Sequence, residues 1–159
     1  MIFVDIDNRR RVRLLLEVHA NAPRSRVWAA MSNVEKFAAC DPFHTRVCSA
    51  DKSPIAAGSS IKIVHGFFGV GLTRVGRVLR WEEGVAYTFS DLSARGSTLG
   101  FPHIYGYRLR DRAEGGCTLS VSVRGKWTAR VLPNWCVAAW LTIVMWLIAA
   151  LLRREVSRL

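Results

Sequence analysis

The chain has 159 residues, 50% of them hydrophobic and 22% charged; this is enough apolar surface to offset the entropy of ordering and too short a chain for two independent cores, so wholesale disorder and a two-domain architecture are both excluded. Twenty-three Lys and Arg against 12 Asp and Glu leave a formal net charge of +11, which favours anionic partners such as nucleic acid, acidic lipid headgroups or acidic ligands without choosing among them. The four cysteines, Cys40, Cys48, Cys117 and Cys136, show no C-x-x-C and no framework spacing, and fit reduced thiols in a cytosolic protein.

In chain order, a short apolar run is followed by Arg9, Arg10, Arg11 and Arg13, the reverse of a signal peptide's basic-then-apolar order. Residues 12–20 carry Leu14, Leu16 and Val18 on one parity and Arg13, Glu17 and His19 on the other, which predicts a half-buried strand. Asn21-Ala22-Pro23 breaks it, with Asn21 a candidate N-cap and Pro23 in the first turn of a helix to about residue 32. A second short helix is predicted over 34–39, closed by Asp41-Pro42.

From 43 to 127 the pattern is strand-like: 47–50, 60–67, 72–81, 86–92, 102–112 and 118–127. Turn chemistry separates these runs at 54–58, 69–71, 83–84, 93–100 and 114–116, which predicts an antiparallel meander. Pro133 opens a helix to about residue 157, roughly 37 Å long at 1.5 Å per residue. Residues 135–152 hold no charged side chain. Trp135, Ala138, Thr142, Met145 and Ala149 lie near one face and Val137, Leu141, Val144, Ile148 and Leu151 near another. Both faces are mainly apolar, so the helix is expected to need a second apolar neighbour beyond its own sheet. An anionic membrane surface, with Arg153, Arg154 and Arg158 next to it, or a second subunit would serve.

The order strand, two short helices, six strands and long C-terminal helix resembles the START/Bet v1-like helix-grip superfamily (SRPBCC), which includes lipid-transfer domains, polyketide cyclase and dehydrase-like proteins and plant pollen allergens. The stretch Val18-His19-Ala20-Asn21-Ala22-Pro23-Arg24-Ser25-Arg26-Val27-Trp28 resembles the superfamily's passage from strand to helix. Gly76-Arg77-Val78-Leu79-Arg80-Trp81 resembles its middle hairpin, and Gly115-Gly116-Cys117-Thr118-Leu119 its last turn. The resemblance covers about residues 10–159. It implies an α+β fold in one domain spanning 1–159: a curved seven-stranded antiparallel sheet wrapped around the C-terminal helix, with two short helices after the first strand. It also implies a cavity that takes a hydrophobic small molecule or lipid.

Strand parity says which side chains could line that space. His103, Tyr105 and Tyr107 share a face opposite Arg108 and Arg110; Ile61, Ile63, His65 and Phe67 share another; Tyr87, Phe89 and Asp91 a third. The residues 72–81 are ambiguous, because Arg74 and Val78 have one parity and Arg77 and Trp81 the other. The candidate ligand-binding residues are therefore His65, Tyr87, His103, Tyr105, Tyr107 and, from the helix, Trp140. The bland alternative is a core whose polar atoms bond to backbone or water. An acid–base pair of His103 and Tyr105 would suit a cyclase- or dehydratase-like enzyme, the alternative function. No G-x-S-x-G, H-E-x-x-H or P-loop pattern occurs, and Gly66, Gly69 and Gly71 read as a hairpin and not as a nucleotide loop.

Cys40, His44 and Cys48 raise the question of a metal, but no fourth ligand is near in sequence, and neither metal nor other cofactor is expected. Arg9 to Arg11 and the stripe Arg108, Arg110 and Arg112 read as solvated faces, so nucleic acid is not an expected partner. The expected protein is cytoplasmic, peripheral to the inner face of a membrane or self-associating, and binds a hydrophobic ligand.

Overall fold

The computed structural model describes residues 1–38, 40–49, 55–67, 70–91 and 101–159, without the side chains of 49, 67 and 70–72. The expected turn at 93–100, Gly69, the expected element ends at Ala39, Ala50 and Leu92, and the Phe67 side chain lie outside the described residues. The elements are β1 (Ile2–Ile6), β2 (Arg11–Ala20), α1 (Arg24–Met31), α2 (Val34–Ala38), β3 (His44–Ser49), β4 (Ser60–Phe67), β5 (Val70–Glu82), β6 (Ala86–Asp91), β7 (His103–Asp111), β8 (Cys117–Lys126) and α3 (Asn134–Val156). Neighbouring strands pair antiparallel in the order β1-β2-β8-β7-β6-β5-β4-β3. The sheet has eight strands where seven were expected. The added strand is β1, whose Ile2, Val4 and Ile6 are partly buried on one parity and whose Asp7 turn returns the chain into β2.

That turn is a knot of side-chain bonds. Asp7 Oδ1 accepts the backbone N–H groups of Arg9 and Arg11, and its Oδ2 pairs with Arg11 Nε at 2.6 Å. Arg10 adopts a left-handed φ of 63° and reaches across to α3: Nε donates to Asn134 Oδ1 at 3.0 Å, and its terminal nitrogens donate to the carbonyls of Ala129 and Leu132. Two of the three arginines in the densest basic cluster are thus engaged in internal structure.

α1 starts after Pro23, which has extended backbone angles and gives no side-chain cap, so the expected capping by Asn21 is not made. Trp28 on α1 and Trp81 on β5 donate to the two carboxylate oxygens of Glu83 at 2.7 and 2.9 Å, fixing the helix over the β5–β6 turn.

β5 is 13 residues long and serves both halves of the sheet, pairing with β4 through residues 70–77 and with β6 through 78–82. The register slips between Val78 and Arg80, and at Gly76 an added Cβ would fall 1.8 Å from the Ser90 carbonyl oxygen. A bulge and a glycine at one place bend the strand and fold β3 and β4 over β6 and β7. The parity of β5 is settled by burial: Arg74, Gly76 and Val78 point inward, Val75, Arg77 and Leu79 outward. On β7 His103, Tyr105, Tyr107 and Leu109 are buried, while Ile104, Arg108 and Arg110 are exposed.

α3 packs on β1 and β2 through Val137, Leu141, Val144, Met145, Ile148, Ala149, Leu152 and Val156, a stripe of i+3 and i+4 steps. The two faces drawn from the sequence are redrawn by this stripe: Met145 and Ala149 join the buried side, and Leu151 is on the exposed side. What solvent meets is Trp135, Ala139, Trp140, Ile143, Trp146, Leu147, Ala150 and Leu151.

Candidate functional site

The bend at β5 brings together two cross-strand pairs. His44 of β3 is in register with His65 of β4, and Asp91 of β6 with His103 of β7. His65 Nε2 lies 2.8 Å from Asp91 Oδ2, His103 Nε2 3.3 Å from the same oxygen, and the rings of His44 and His65 meet edge to face at 4.8 Å. Arg74 enters from β5, its guanidinium 3.8 Å from Asp91 Oδ2 and donating to the carbonyls of Asp91 at 3.4 Å and Phe101 at 3.2 Å. Below this cluster the Tyr105 hydroxyl donates to Asp41 Oδ2, which is 3.9 Å from His44 Nε2.

Burial and charge set the protonation states. Asp91 is fully buried, and burial alone would raise its carboxyl; the close approach of His65 and His103 and the Arg74 charge outweigh that and hold it below the ordinary carboxylate range. Burial lowers His103 more than the Asp91 charge and the Phe101 carbonyl raise it, so it is neutral at neutral pH. The permanent positive charge beside Asp91 is that of Arg74.

Next to the polar cluster, on the same inward face, Tyr87, Phe89, Tyr105 and Tyr107 form an aromatic wall with neighbouring ring centroids 5.0–6.4 Å apart. Burial pushes all three tyrosine hydroxyls well above their usual value, with nearby acidic groups adding to it. Among the described residues the Tyr87 hydroxyl has no hydrogen-bond partner. His65, Tyr87, His103, Tyr105 and Tyr107 are thus side by side. Trp140 is not with them: it is 37% exposed and its ring lies against Phe43.

Two surface concavities of about 340 and 360 Å³ involve none of these residues; the first is lined by Lys36, Cys40, Leu151, Arg154, Glu155 and Arg158 and crossed by the Lys36–Glu155 ion pair at 3.0 Å. Sequence reasoning overlooked Asp41 and Arg74 and weighed His44 only beside Cys40 and Cys48. The missing signal was long-range register, since His44, His65, Asp91 and His103 are far apart in the chain.

A bent antiparallel sheet closed by one long C-terminal helix, with two short helices after the second strand, is the helix-grip architecture. Solved structures with this fold include the ZhuI aromatase/cyclase of Streptomyces sp. R1128, 13% identical, with a TM-score of 0.68 over 92% of this chain and 91% of that one. The ginseng major latex-like protein 151 of Panax ginseng is 7% identical, with a TM-score of 0.64 over 92% and 97%. The di-domain aromatase/cyclase StfQ of the steffimycin biosynthetic pathway is 10% identical, with a TM-score of 0.71 over 93% of this chain and 50% of that one. No family model and no curated protein matches the sequence. The chain has the helix-grip fold shared by Bet v1-like proteins and polyketide aromatase/cyclases.

Proposed function

We propose that the protein binds a hydrophobic small molecule or lipid and works on an anionic membrane surface, against which the outer face of α3 lies. The observation that carries this reading is that face. Trp135, Ile143, Trp146 and Leu147 are each about half exposed or more, continuous with Val131 and Leu132 just before the helix. A contiguous apolar stripe of this kind is costly to leave in water and marks a contact surface. Arg130 precedes the stripe, and Arg153, Arg154 and Arg158 follow it, all exposed. Basic residues at both ends suit a helix lying flat on acidic headgroups, each adding about 1 kcal/mol near such a surface. α3 is long and apolar enough to cross a membrane, but its buried stripe closes the core of the sheet and would be lost to it. The inward aromatic wall, with the unpartnered Tyr87 hydroxyl, supports an apolar ligand held by one polar contact.

The test is sedimentation with phosphatidylserine-containing vesicles. The protein should pellet with them, release in high salt, and lose binding in the double variant Ile143→Ser, Trp146→Ser while keeping its far-UV spectrum. A protein that stays monomeric at high concentration and does not pellet overturns the reading, and a dimer that buries the same stripe assigns it to a second copy. Mass spectrometry of an organic extract of the purified protein tests the ligand.

One observation favours a second reading, a cyclase- or dehydratase-like enzyme: Tyr105 bonded to Asp41 with the His103 ring 5.0 Å away is a set able to move protons. There, His103→Gln would lower kcat at least ~100-fold.

A further inference from the structure

Three of the chain's four histidines stand in the cluster at the bend of β5. A ring nitrogen each of His44 and His103 and a carboxylate oxygen of Asp91 all lie within 4.8 Å of one another, on side chains at most 8% exposed. Among the described residues the Nε2 atoms of His44 and His103 and the Asp91 carboxylate oxygens have no hydrogen-bond partner, nor does His65 Nε2, whose 2.8 Å approach to Asp91 is not aligned as a hydrogen bond. Buried polar atoms left unpaired are costly, so several gathered in one place call for an occupant.

The other edge of each ring says which kind. His44 Nδ1 is 2.7 Å from the Ala38 carbonyl, and His103 Nδ1 is 2.5 Å from that of Phe101. A carbonyl only accepts, so both Nδ1 atoms carry a proton, which leaves each Nε2 as the ring nitrogen free to ligate. Backbone carbonyls fixing the tautomer of inward-facing imidazoles is how proteins orient metal-binding histidines. Arg74 braces the same Phe101 carbonyl from outside. The 3.3 Å between His103 Nε2 and Asp91 Oδ2 matches the edge of a tetrahedron, about 3.3–3.5 Å for metal–ligand bonds near 2.0–2.2 Å.

We propose that His44, His103 and Asp91 bind a zinc-type divalent ion, with His65 beside them at Asp91. Imidazole-rich donor sets suit first-row transition ions, whereas magnesium and calcium require oxygen. These three protein ligands leave a fourth position, for water or for His65. The ion ties the β3–β4 hairpin to the β6–β7 hairpin across the bend, doing with one centre what Gly76 and the bulge leave open. It also occupies the lone pair on which the acid–base reading of His103 depends, so the two are exclusive at that atom.

The experiment uses the full chain, stripped with a chelator and titrated with Co2+ and Zn2+. One equivalent of Co2+ should give the intense visible bands of four-coordinate cobalt, Zn2+ should displace it, and the melting temperature should rise with Zn2+. His103→Gln and His44→Gln should each weaken binding at least ~100-fold, and His19→Gln, at an exposed histidine outside the cluster, should leave it unchanged. Because the cobalt spectrum of the unaltered protein is informative by itself, a variant that fails to fold does not protect the proposal. A stripped protein that shows only the pale bands of solvated cobalt overturns it, and so does a folded His103→Gln that binds Zn2+ as tightly as the parent.

Discussion

On β2 and β8 the buried side chains are mainly aliphatic, among them Val12, Leu14, Leu16, Val18, Leu119, Val121 and Val123; on β6 and β7 they include Tyr87, Phe89, Asp91, His103, Tyr105, Tyr107 and Leu109. The two halves of one sheet are equally dry and chemically unlike. The aliphatic half meets α3, and its contribution is volume and area, which any well-packed apolar residue supplies. The aromatic half buries hydroxyls, imidazoles and a carboxylate, each of which costs free energy unless something answers it. The second composition is therefore the costlier one to bury.

The contrast is sharpest at alkaline pH. All three tyrosines of the chain are in the aromatic half with their ionisation pushed well above the ordinary value. A group raised in the folded state contributes stability that is intact below the unfolded pKa, about 10 for tyrosine, and lost as pH rises above it. Each forfeits about 1.4 kcal/mol per pH unit there, so the three together should cost about 4 kcal/mol per unit. Absorbance at 295 nm should therefore show no ionisation near pH 10, then a steep rise coincident with loss of the far-UV signal. Three tyrosines titrating near pH 10 in folded protein would erase the contrast.

Next in size is a cavity in the aliphatic half. Leu16→Ala, at a side chain with no solvent exposure, should cost about 3 kcal/mol in urea unfolding. A loss below about 1 kcal/mol would mean that this half is loosely packed. The smallest effect is within the aromatic half: Tyr87→Phe removes a hydroxyl that has no partner among the described residues, so stability should change by less than about 1 kcal/mol, in the favourable direction. A marked destabilisation would show that the hydroxyl is bonded after all.

Local pattern was enough for much of this. The period-two alternation of β2, β4 and β7 and the long apolar run of α3 are visible in the chain because one neighbour decides which parity is buried. β1 escaped since Ile2, Val4 and Ile6 run into a block of arginines that reads as a tail until Arg10 is seen bound to α3. The inward turn of Arg74 could not be read from its strand, where charge argued for solvent; only Asp91, on the next strand, makes burial tolerable. His44 was hidden for a related reason: adjacency in sequence tied it to Cys40 and Cys48, whereas its partners arrive by register and by a bend at Gly76. Trp140 was misjudged because helix periodicity gives faces but not which of them meets the sheet.

The Arg10 clasp on residues 129, 132 and 134, together with the pairing of β2 against β8, also has a bearing on synthesis. The β1–β2 hairpin is made well before its partners, β8 and α3. At ribosomal rates of about 5–20 residues per second, that apolar edge waits on the order of 5–20 s before anything can cover it. Productive folding then includes a late closure in which β2 and the Arg10 loop lock onto β8 and α3, and a nascent chain stalled short of residue 126 would present β2 to whatever strand it meets first.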